Sequence, residues 1–203
     1  MRETNAREIN FLSVSSSQGD LWERFQKGDR DSLGKIYRNH IDHLYNYGMH
    51  FCLDSERVKD CIQDLFRDLW MEREHLTANV NNVQYYLLSS LRRRLLRSLQ
   101  KDRRHPSDEP DDSFDFELIP SHESSLVTDE IYNERKAKLQ EGISLLTRRQ
   151  REVIYLRFYQ NLSYQEISQI MAMKVDSVYN LISKAIGFLK NNIYTFYILF
   201  LLY

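Results

Sequence analysis

Cysteine, glycine and proline are all scarce in this chain. Its 203 residues include 2 Cys, 6 Gly and 3 Pro. Cys52 and Cys61 are too few for a disulfide framework, and no charged and apolar leader opens the sequence, so we expect a reducing cytosolic setting. Because helix-forming Leu, Glu, Arg, Lys and Gln are frequent, the scarcity of Gly and Pro predicts an all-α fold with short turns rather than a β-sandwich.

An excess of charge of one sign is also lacking, since the formal net charge is -1. The overall balance therefore does not indicate a nucleic-acid binder, but the charges are unevenly distributed. Residues 105–130 contain all the prolines, many acids and no Lys or Arg. This composition predicts a flexible, mostly unstructured acidic linker between two helical domains, at 19–104 and 131–192.

Motifs of common enzyme classes are missing as well. No Gly-rich phosphate-binding loop and no nucleophile elbow is present. His40 and His43 lie one helical turn apart, with His50 and Cys52 nearby, but a tetrahedral metal site needs four converging ligands and no close Cys-x-x-Cys pair supplies them. We therefore predict no enzymatic activity, no metal, no cofactor and no small-molecule substrate.

The first domain has the periodicity of about four amphipathic helices. The first helix is expected to end near Gly28, and the second to span 31–51. The third is expected to begin after Asp54 or Ser55, and the fourth to span 81–101. In the second helix five residues are predicted to face inward: Leu33, Ile36, Tyr37, Leu44 and Tyr45. In the third helix the apolar stripe consists of Val58, Cys61, Ile62, Leu65 and Leu69. An N-terminal helical bundle follows from these patterns.

The second domain contains the sharpest local pattern. Ser163 followed by Glu166 predicts a capping box at the start of a short helix. A turn at Lys174 and Val175 precedes a longer helix to about residue 192, capped by Asp176 or Ser177. Its apolar residues fall on one side and its polar residues on the other, which suits a helix-turn-helix that reads the major groove. Four upstream arginines could neutralise phosphates: Arg148, Arg149, Arg151 and Arg157. The alternative is an ordinary helical hairpin with a solvated polar face.

The segment 146–190 resembles region 4 of extracytoplasmic-function (ECF) sigma factors. The residues that carry the resemblance are Leu146, Thr147, Arg149, Gln150, Arg151, Leu162, Ser163, Tyr164, Glu166, Ile167, Ser177, Val178, Lys184 and Ala185. Ser168 replaces the usual Ala, Met173 lies near a position often taken by Gly, and Tyr179 replaces a common basic residue. The resemblance implies binding of the −35 promoter element by Ser163, Tyr164, Ser177, Tyr179, Asn180, Ser183 and Lys184.

A second motif lies in the third helix, at residues 60–70. Taken alone, its polar strip is a solvated helix face with two aromatic residues at its edge. The segment nevertheless resembles the D-x-x-Q-[DE]-x-F motif of sigma region 2. This resemblance implies that Asp60, Gln63, Asp64, Phe66 and Trp70 bind the clamp of the β′ subunit of core RNA polymerase. Polar groups around an aromatic anchor suit such an interface.

The fourth helix carries a basic face beside aromatic residues, a combination that suits single-stranded DNA. By its position it resembles the helix of region 2 that binds the −10 element, which implies DNA contacts by Tyr86, Ser90, Arg93, Arg94, Arg97 and Lys101. Arg92 projects toward the apolar side and is expected to pair within the protein. The three consecutive arginines are similar to those of a Bacteroidetes subset commonly paired with membrane anti-sigma proteins. A solvated basic face is the alternative.

Together the two resemblances identify the chain as a member of the ECF sigma factors, which give RNA polymerase its promoter specificity. The implied partners are core polymerase through the β′ clamp and the β flap, promoter DNA, and a membrane anti-sigma factor. The implied location is cytoplasmic, with retention at the inner membrane by the anti-sigma factor. The acidic linker is expected to enter the positively charged channels of the polymerase.

Two other functions remain open from the residues alone. A stand-alone DNA-binding regulator would use the first domain for sensing or dimerisation. A membrane-tethered interaction protein would use the uncharged tail 193–203, although a spanning helix needs roughly 20 apolar residues. The tail is otherwise expected to be a terminal helix that packs on its own domain or on a partner.

Overall fold

The computed structural model describes residues 19–76, 82–101, 116–118, 137 and 139–202, with only the backbone for 192–202. Every regular element in these ranges is helical, which confirms the predicted all-α class. The chain divides into two compact units, residues 1–113 and 114–203. Residues 105–115 and 119–130 of the predicted linker lie outside the described residues.

The first unit has four α-helices: α1 at 19–26, α2 at Arg30–Phe51, α3 at Ser55–Met71 and α4 at Val83–Lys101. A short 3₁₀ turn at Arg73–His75 follows α3. α1 ends before Gly28, whose φ of +91° is a conformation that glycine adopts without steric cost. The side chain of Asp54 accepts from the backbone N–H of Arg57, so Asp54 and not Ser55 caps α3.

The core of the first unit is formed by one face of each helix. The stripe predicted for α3 is buried throughout, at Val58, Cys61, Ile62, Leu65 and Leu69. Trp22 and Phe25 of α1 are fully buried, as are Leu87, Leu91 and Leu95 of α4. One inward position of α2 was predicted wrongly. Tyr37 is 41% exposed, and Tyr47 is the buried tyrosine instead.

Gly48 lies where α2 packs closely against α3. A Cβ atom at this position would lie 2.5 Å from Cγ1 of Val58, which is itself fully buried. Val58 is β-branched and has few rotamers with which to avoid the clash. The two helices can therefore pack at this separation only because residue 48 has no side chain.

We expect Gly48→Ala to lower the free energy of unfolding of the first unit by about 2 kcal/mol, because overpacking forces the backbone or Val58 to shift. Gly34→Ala in the same helix is the matched control. Its Cβ would meet only the flexible end of Arg38, at 3.4 Å. Gly34→Ala should stabilise the unit by about 0.5–1 kcal/mol through helix propensity. Calorimetry of both variants measures these changes. Equal changes in the free energy of unfolding would contradict the proposed packing constraint at Gly48.

The second unit contains α5 at 139–144, α6 at Arg148–Ile154, α7 at Tyr164–Ile170 and α8 at Val175–Leu202. A π-helical turn, Tyr155–Tyr159, extends α6. Capping boxes start α6 at Thr147 and α7 at Ser163, the second of which was predicted. The turn between α7 and α8 includes Ala172 in the left-handed region, at φ +52°.

Both predicted ends of α8 need correction. The helix begins at Val175, so Asp176 and Ser177 lie in its first turn and do not cap it. The backbone N–H groups of Ser177 and Val178 instead donate to the carbonyl of Lys174. The helix also continues past residue 192 to Leu202, although the side chains of the tail 193–203 lie outside the described residues. Among the residues that are described, no helix has the length and apolar character needed to cross a membrane.

A short piece of the linker is held by the second unit. Phe116 is fully buried, and its ring meets the ring of Tyr155 edge-on at 5.8 Å. The backbone carbonyl of Phe116 accepts from Nε of Arg151 at 2.6 Å. The structure thus adds one anchored residue to a stretch that the sequence predicted as mostly unstructured.

Candidate functional site

The polar strip of α3 is displayed on the surface of the first unit. Asp60 and Gln63 are exposed, and Asp64 is half-buried. One oxygen of Asp64 lies 2.7 Å from Nη1 of Arg67, whose Nε contacts Asp68 at 3.3 Å. Such exposed ion pairs add little stability. The strip therefore offers polar groups of both signs to a partner.

Phe66 and Trp70 differ from the strip in their exposure. Phe66 is only 8% exposed, and its ring packs edge-on against Tyr37 of α2, 5.0 Å between centroids. Trp70 is half-buried, with the guanidinium groups of Arg73 and Arg30 over its ring at 4.6 and 5.6 Å. These cations fix the orientation of the indole ring.

The two aromatic residues open onto a groove of about 450 Å³ between α2 and α3. Its lining residues are Arg30, Leu33, Gly34, Tyr37, Arg38, Phe66 and Trp70. The α2 side of this groove was missed from sequence, because the periodicity of α2 assigned Tyr37 to the core. The candidate site on α3 therefore has an apolar depression beside it, with two arginines from α2 in its wall.

The basic face of α4 divides into two groups. Arg93, Arg97 and Lys101 are exposed and recur at four-residue steps, so they lie along one side of the helix. The guanidinium of Arg93 also donates to the hydroxyl of Ser90 at 3.2 Å. We call Arg93, Arg97 and Lys101 the basic row.

The other predicted −10 residues are tied into the bundle. Tyr86 packs edge-on against Trp22 at 5.3 Å, and burial raises the pKa of its hydroxyl. Ser90 is 8% exposed, and Arg94 forms an ion pair with Asp68 of α3 at 3.0 Å. Arg92, as predicted, turns inward, where its guanidinium lies 5.9 Å from the ring centroid of Phe51. Among the predicted −10 residues, those of the basic row are thus the ones exposed to solvent.

The helix-turn-helix presents a polar face on α8. Val178, Ile182 and Ala185 are buried on the inner side. The outer side exposes the predicted −35 residues of this helix, namely Ser177, Tyr179, Asn180, Ser183 and Lys184. This separation of faces confirms the predicted amphipathicity of α8.

Ser163 and Tyr164 have structural contacts at the start of α7. The Ser163 hydroxyl lies 2.7 Å from the carboxylate of Glu166 and accepts from the Glu166 backbone N–H. The Tyr164 ring lies parallel to that of Tyr179, with centroids 3.9 Å apart and an interplanar angle of 11°. The guanidinium of Arg157 lies 5.0 Å from the Tyr164 ring centroid. We call Arg157, Tyr164 and Tyr179 the aromatic stack.

Two of the four upstream arginines have defined intramolecular roles. Arg157 donates to the carbonyl of Leu162 at 2.8 Å, which fixes its guanidinium beside the stack. Arg151 donates to the carbonyls of Phe116 and Ser144. From the sequence, both arginines could neutralise phosphates, and no local sequence pattern indicates their hydrogen bonds to backbone carbonyls.

Metal-ligand side chains do not cluster in the part of the chain that the structure describes, where no group of three or more His, Cys, Asp or Glu is placed to hold an ion. His40 is buried, and its Nδ1 has no hydrogen-bond partner. Burial lowers the pKa of His40 to about 4, with a smaller contribution from His43. His40 is therefore a neutral core residue at neutral pH.

This depressed pKa predicts an acid-sensitive first unit. Because unfolded histidine has a pKa of about 6.5, the unfolded chain binds the extra proton first as the pH falls. Stability contributed by neutral His40 is present above about pH 6.5 and is lost as the pH falls to about 4. Urea titrations between these pH values should show that the free energy of unfolding falls more steeply with decreasing pH in the wild type than in His40→Leu. Equal slopes of the free energy of unfolding against pH in the two proteins would contradict a role of His40. His43→Leu is the control for the neighbouring charge.

Comparison with known families adds independent information. Residues 36–105 match the family described as Sigma-70 region 2, and residues 136–189 match Sigma-70, region 4. A curated relative is the ECF RNA polymerase sigma factor SigK of Mycobacterium ulcerans (strain Agy99). It is 19% identical over 171 residues, which cover 84% of this chain and 90% of the relative.

Two solved structures share the fold at low identity. CnrH in complex with the cytosolic domain of CnrY has a TM-score of 0.56 and 17% identity, covering 88% of this chain and 97% of CnrH. The sigma factor RpoE, in complex with the anti-sigma factor NepR from Bartonella quintana, has a TM-score of 0.51 and 16% identity. That match covers 79% of this chain and 95% of RpoE.

Proposed function

The chain belongs to the sigma-70 family and is of the ECF type, and we propose that it binds core RNA polymerase and directs it to promoters through the surfaces described above. The observation that carries this proposal is the presence of both regions, 2 and 4, in one chain and in that order. A stand-alone regulator needs a helix-turn-helix but has no need of a region 2 surface. A membrane-tethered interaction protein needs neither.

For core binding we propose that Asp60, Gln63 and Asp64 supply polar contacts to the β′ clamp. Trp70 and the exposed edge of Phe66 would supply apolar contacts beside them. Exposure of the polar residues and fixation of the indole ring by two arginines support this assignment. A rigid aromatic group loses little conformational entropy on binding, which suits an anchor.

For promoter binding we propose that the basic row follows the phosphates of the melted −10 element. Tyr86 and Arg94 would then act chiefly by positioning α4, because they contact Trp22 of α1 and Asp68 of α3. Ser90 would orient Arg93 of the same helix. In the second unit the exposed face of α8 would enter the −35 major groove, and the unit would bind the β flap. Tyr164 would support that helix by stacking on Tyr179, and Ser163 caps α7.

Regulation by an anti-sigma factor is proposed from the family and from the similar structure of RpoE, which is bound to the anti-sigma factor NepR. A membrane location of that partner, cytoplasmic residence of this chain, and the Bacteroidetes-like subset are further proposals that rest on the sequence. The same holds for entry of the acidic linker into polymerase channels, since most of its residues lie outside the described residues.

Run-off transcription tests the function. Purified core polymerase is combined with the protein on promoters cloned from beside its gene. We expect transcripts only when the protein is added. Gln63→Ala should reduce both core binding and transcription at least about tenfold, as expected for an interface hot spot. Asn46→Ala, an exposed change on α2, is the matched control and should have no effect.

The outcome also separates the rival functions. Sequence-specific binding to duplex DNA without any affinity for core would favour a stand-alone regulator. Membrane fractionation that is lost when residues 193–203 are deleted would favour a tethered interaction protein. Gln63 is preferred to Phe66 for the test because Phe66 is buried, and its truncation would also destabilise the bundle.

A further inference from the structure

The first part of α8 lacks the residues that usually read guanine. From Val175 to Ser183 the sequence contains no Lys or Arg, and the first cation of the helix is Lys184. Arginine and lysine recognise guanine through O6 and N7, whereas asparagine recognises adenine and apolar groups contact the thymine methyl. The side chains exposed near the start of α8 include Tyr179 and Asn180. The chemistry of Tyr179 and Asn180 therefore favours A·T base pairs, whereas the exposed carboxylate of Asp176 in the first turn suits a cytosine amine.

Tyr179 is held in one orientation by the aromatic stack. Its ring lies parallel to the ring of Tyr164, with centroids 3.9 Å apart. The guanidinium of Arg157 in turn lies 5.0 Å from the Tyr164 ring centroid. The hydrogen bond from Arg157 to the carbonyl of Leu162 fixes the guanidinium. Tyr179 nevertheless remains 51% exposed. One face of the Tyr179 ring is thus held against Tyr164, while about half of the side chain stays accessible to a base.

We propose that Tyr179 reads a thymine of the −35 element through contact with its C5-methyl group, beside an adenine read by Asn180. This inference rests on the proposed role of α8 in the −35 groove and adds the class of base that it selects. Arg157 is a positioning residue for Tyr179 and not a phosphate ligand. Preorganisation by the stack lowers the entropic cost of fixing the ring on DNA.

A promoter library tests the proposal in the holoenzyme. The −35 positions are randomised, and the sequences that yield transcripts with core polymerase are counted. Wild-type protein should prefer thymine at one position by roughly 5- to 100-fold, the range for one base pair of a specific site. Tyr179→Ala should abolish the preference at that position alone, and Tyr179→Phe should retain it. Replacing that thymine by deoxyuridine should weaken wild-type binding but leave Tyr179→Ala unchanged.

Arg157→Gln separates positioning from phosphate binding. If Arg157 positions Tyr179, the variant loses part of the thymine preference while the salt dependence of DNA binding is unchanged. A phosphate ligand would instead lower the slope of log K against log salt by about 1 at every sequence. Calorimetry of each variant confirms that the second unit is folded before the comparison is made.

Two results would overturn the inference while leaving the proposed function intact. One is an unchanged library profile for Tyr179→Ala, and the other is a preference for guanine or cytosine at the position that depends on Tyr179. Absence of any transcript with folded wild-type protein and core would overturn the proposed function, and the inference with it.

Discussion

Phe116→Ala should lower the free energy of unfolding of the second unit by about 3 kcal/mol, the lower end for truncation of a buried phenylalanine. The ring is fully buried against Tyr155, so its removal leaves a cavity that a short segment without regular structure can only partly close. Calorimetry of the full chain should show a lower transition temperature for the second unit and an unchanged first unit.

Gln140→Ala is the control for Phe116→Ala because it changes an exposed position of α5 in the same unit. We expect a change within about 0.5 kcal/mol, as is usual for surface substitutions. An unchanged second transition in Phe116→Ala would mean that the ring does not belong to the core of this unit. If the prediction holds, Phe116 belongs to the core of the second unit although it lies within the predicted linker.

The anchor could not have been predicted from sequence. Phe116 is one of two phenylalanines, with Phe114, among acids and prolines, and no periodic pattern connects it with α6. Its contacts depend on where Tyr155 and Arg151 project from folded helices. Local composition predicted the character of the linker, but the burial of one residue in it is a tertiary property.

Regular helices were easier to predict, because their signals are local. The α3 stripe and the Ser163 capping box follow from spacings of three and four residues. Tyr37 was assigned wrongly because it follows the buried Ile36 at the edge of a broad apolar face, where adjacent residues differ by about 100°. Such edges are decided by the neighbouring helix, in this case by Phe66 of α3.

The sequence predicted which types of residue lie on each helix of the candidate site, but not which contacts those residues make. The motifs placed acids and aromatics on α3 and basic residues on α4. The ion pair of Arg94 with Asp68 and the stacking of Tyr164 on Tyr179 depend on the register between helices. On the basis of these contacts we propose the basic row as the −10 candidates and Arg157 as a support of the predicted −35 surface.

Simultaneous replacement of Arg93, Arg97 and Lys101 by alanine should weaken binding to the melted −10 strand by roughly 50-fold at physiological salt. Each phosphate contact contributes a slope of about 0.7 in log K against log salt for single strands, so three contacts contribute about 2. All three side chains are exposed on one side of α4, and we expect core binding and the stability of the first unit to be retained. The measurement is the affinity of holoenzyme for a labelled −10 strand at several salt concentrations.

A second triple variant separates local contact from net charge. Arg24, Lys27 and Lys35 are exposed cations of the same unit, away from α4 in sequence, and their replacement by alanine removes the same total charge. If only net charge matters, both triples should lower the affinity and the slope equally. A direct role of the basic row requires that the slope fall by about 2 in the α4 triple and by much less in the control. Equal slopes would mean that the basic face of α4 is only solvated and does not contact DNA. A long-range effect of net charge does not depend on which surface carries the cations.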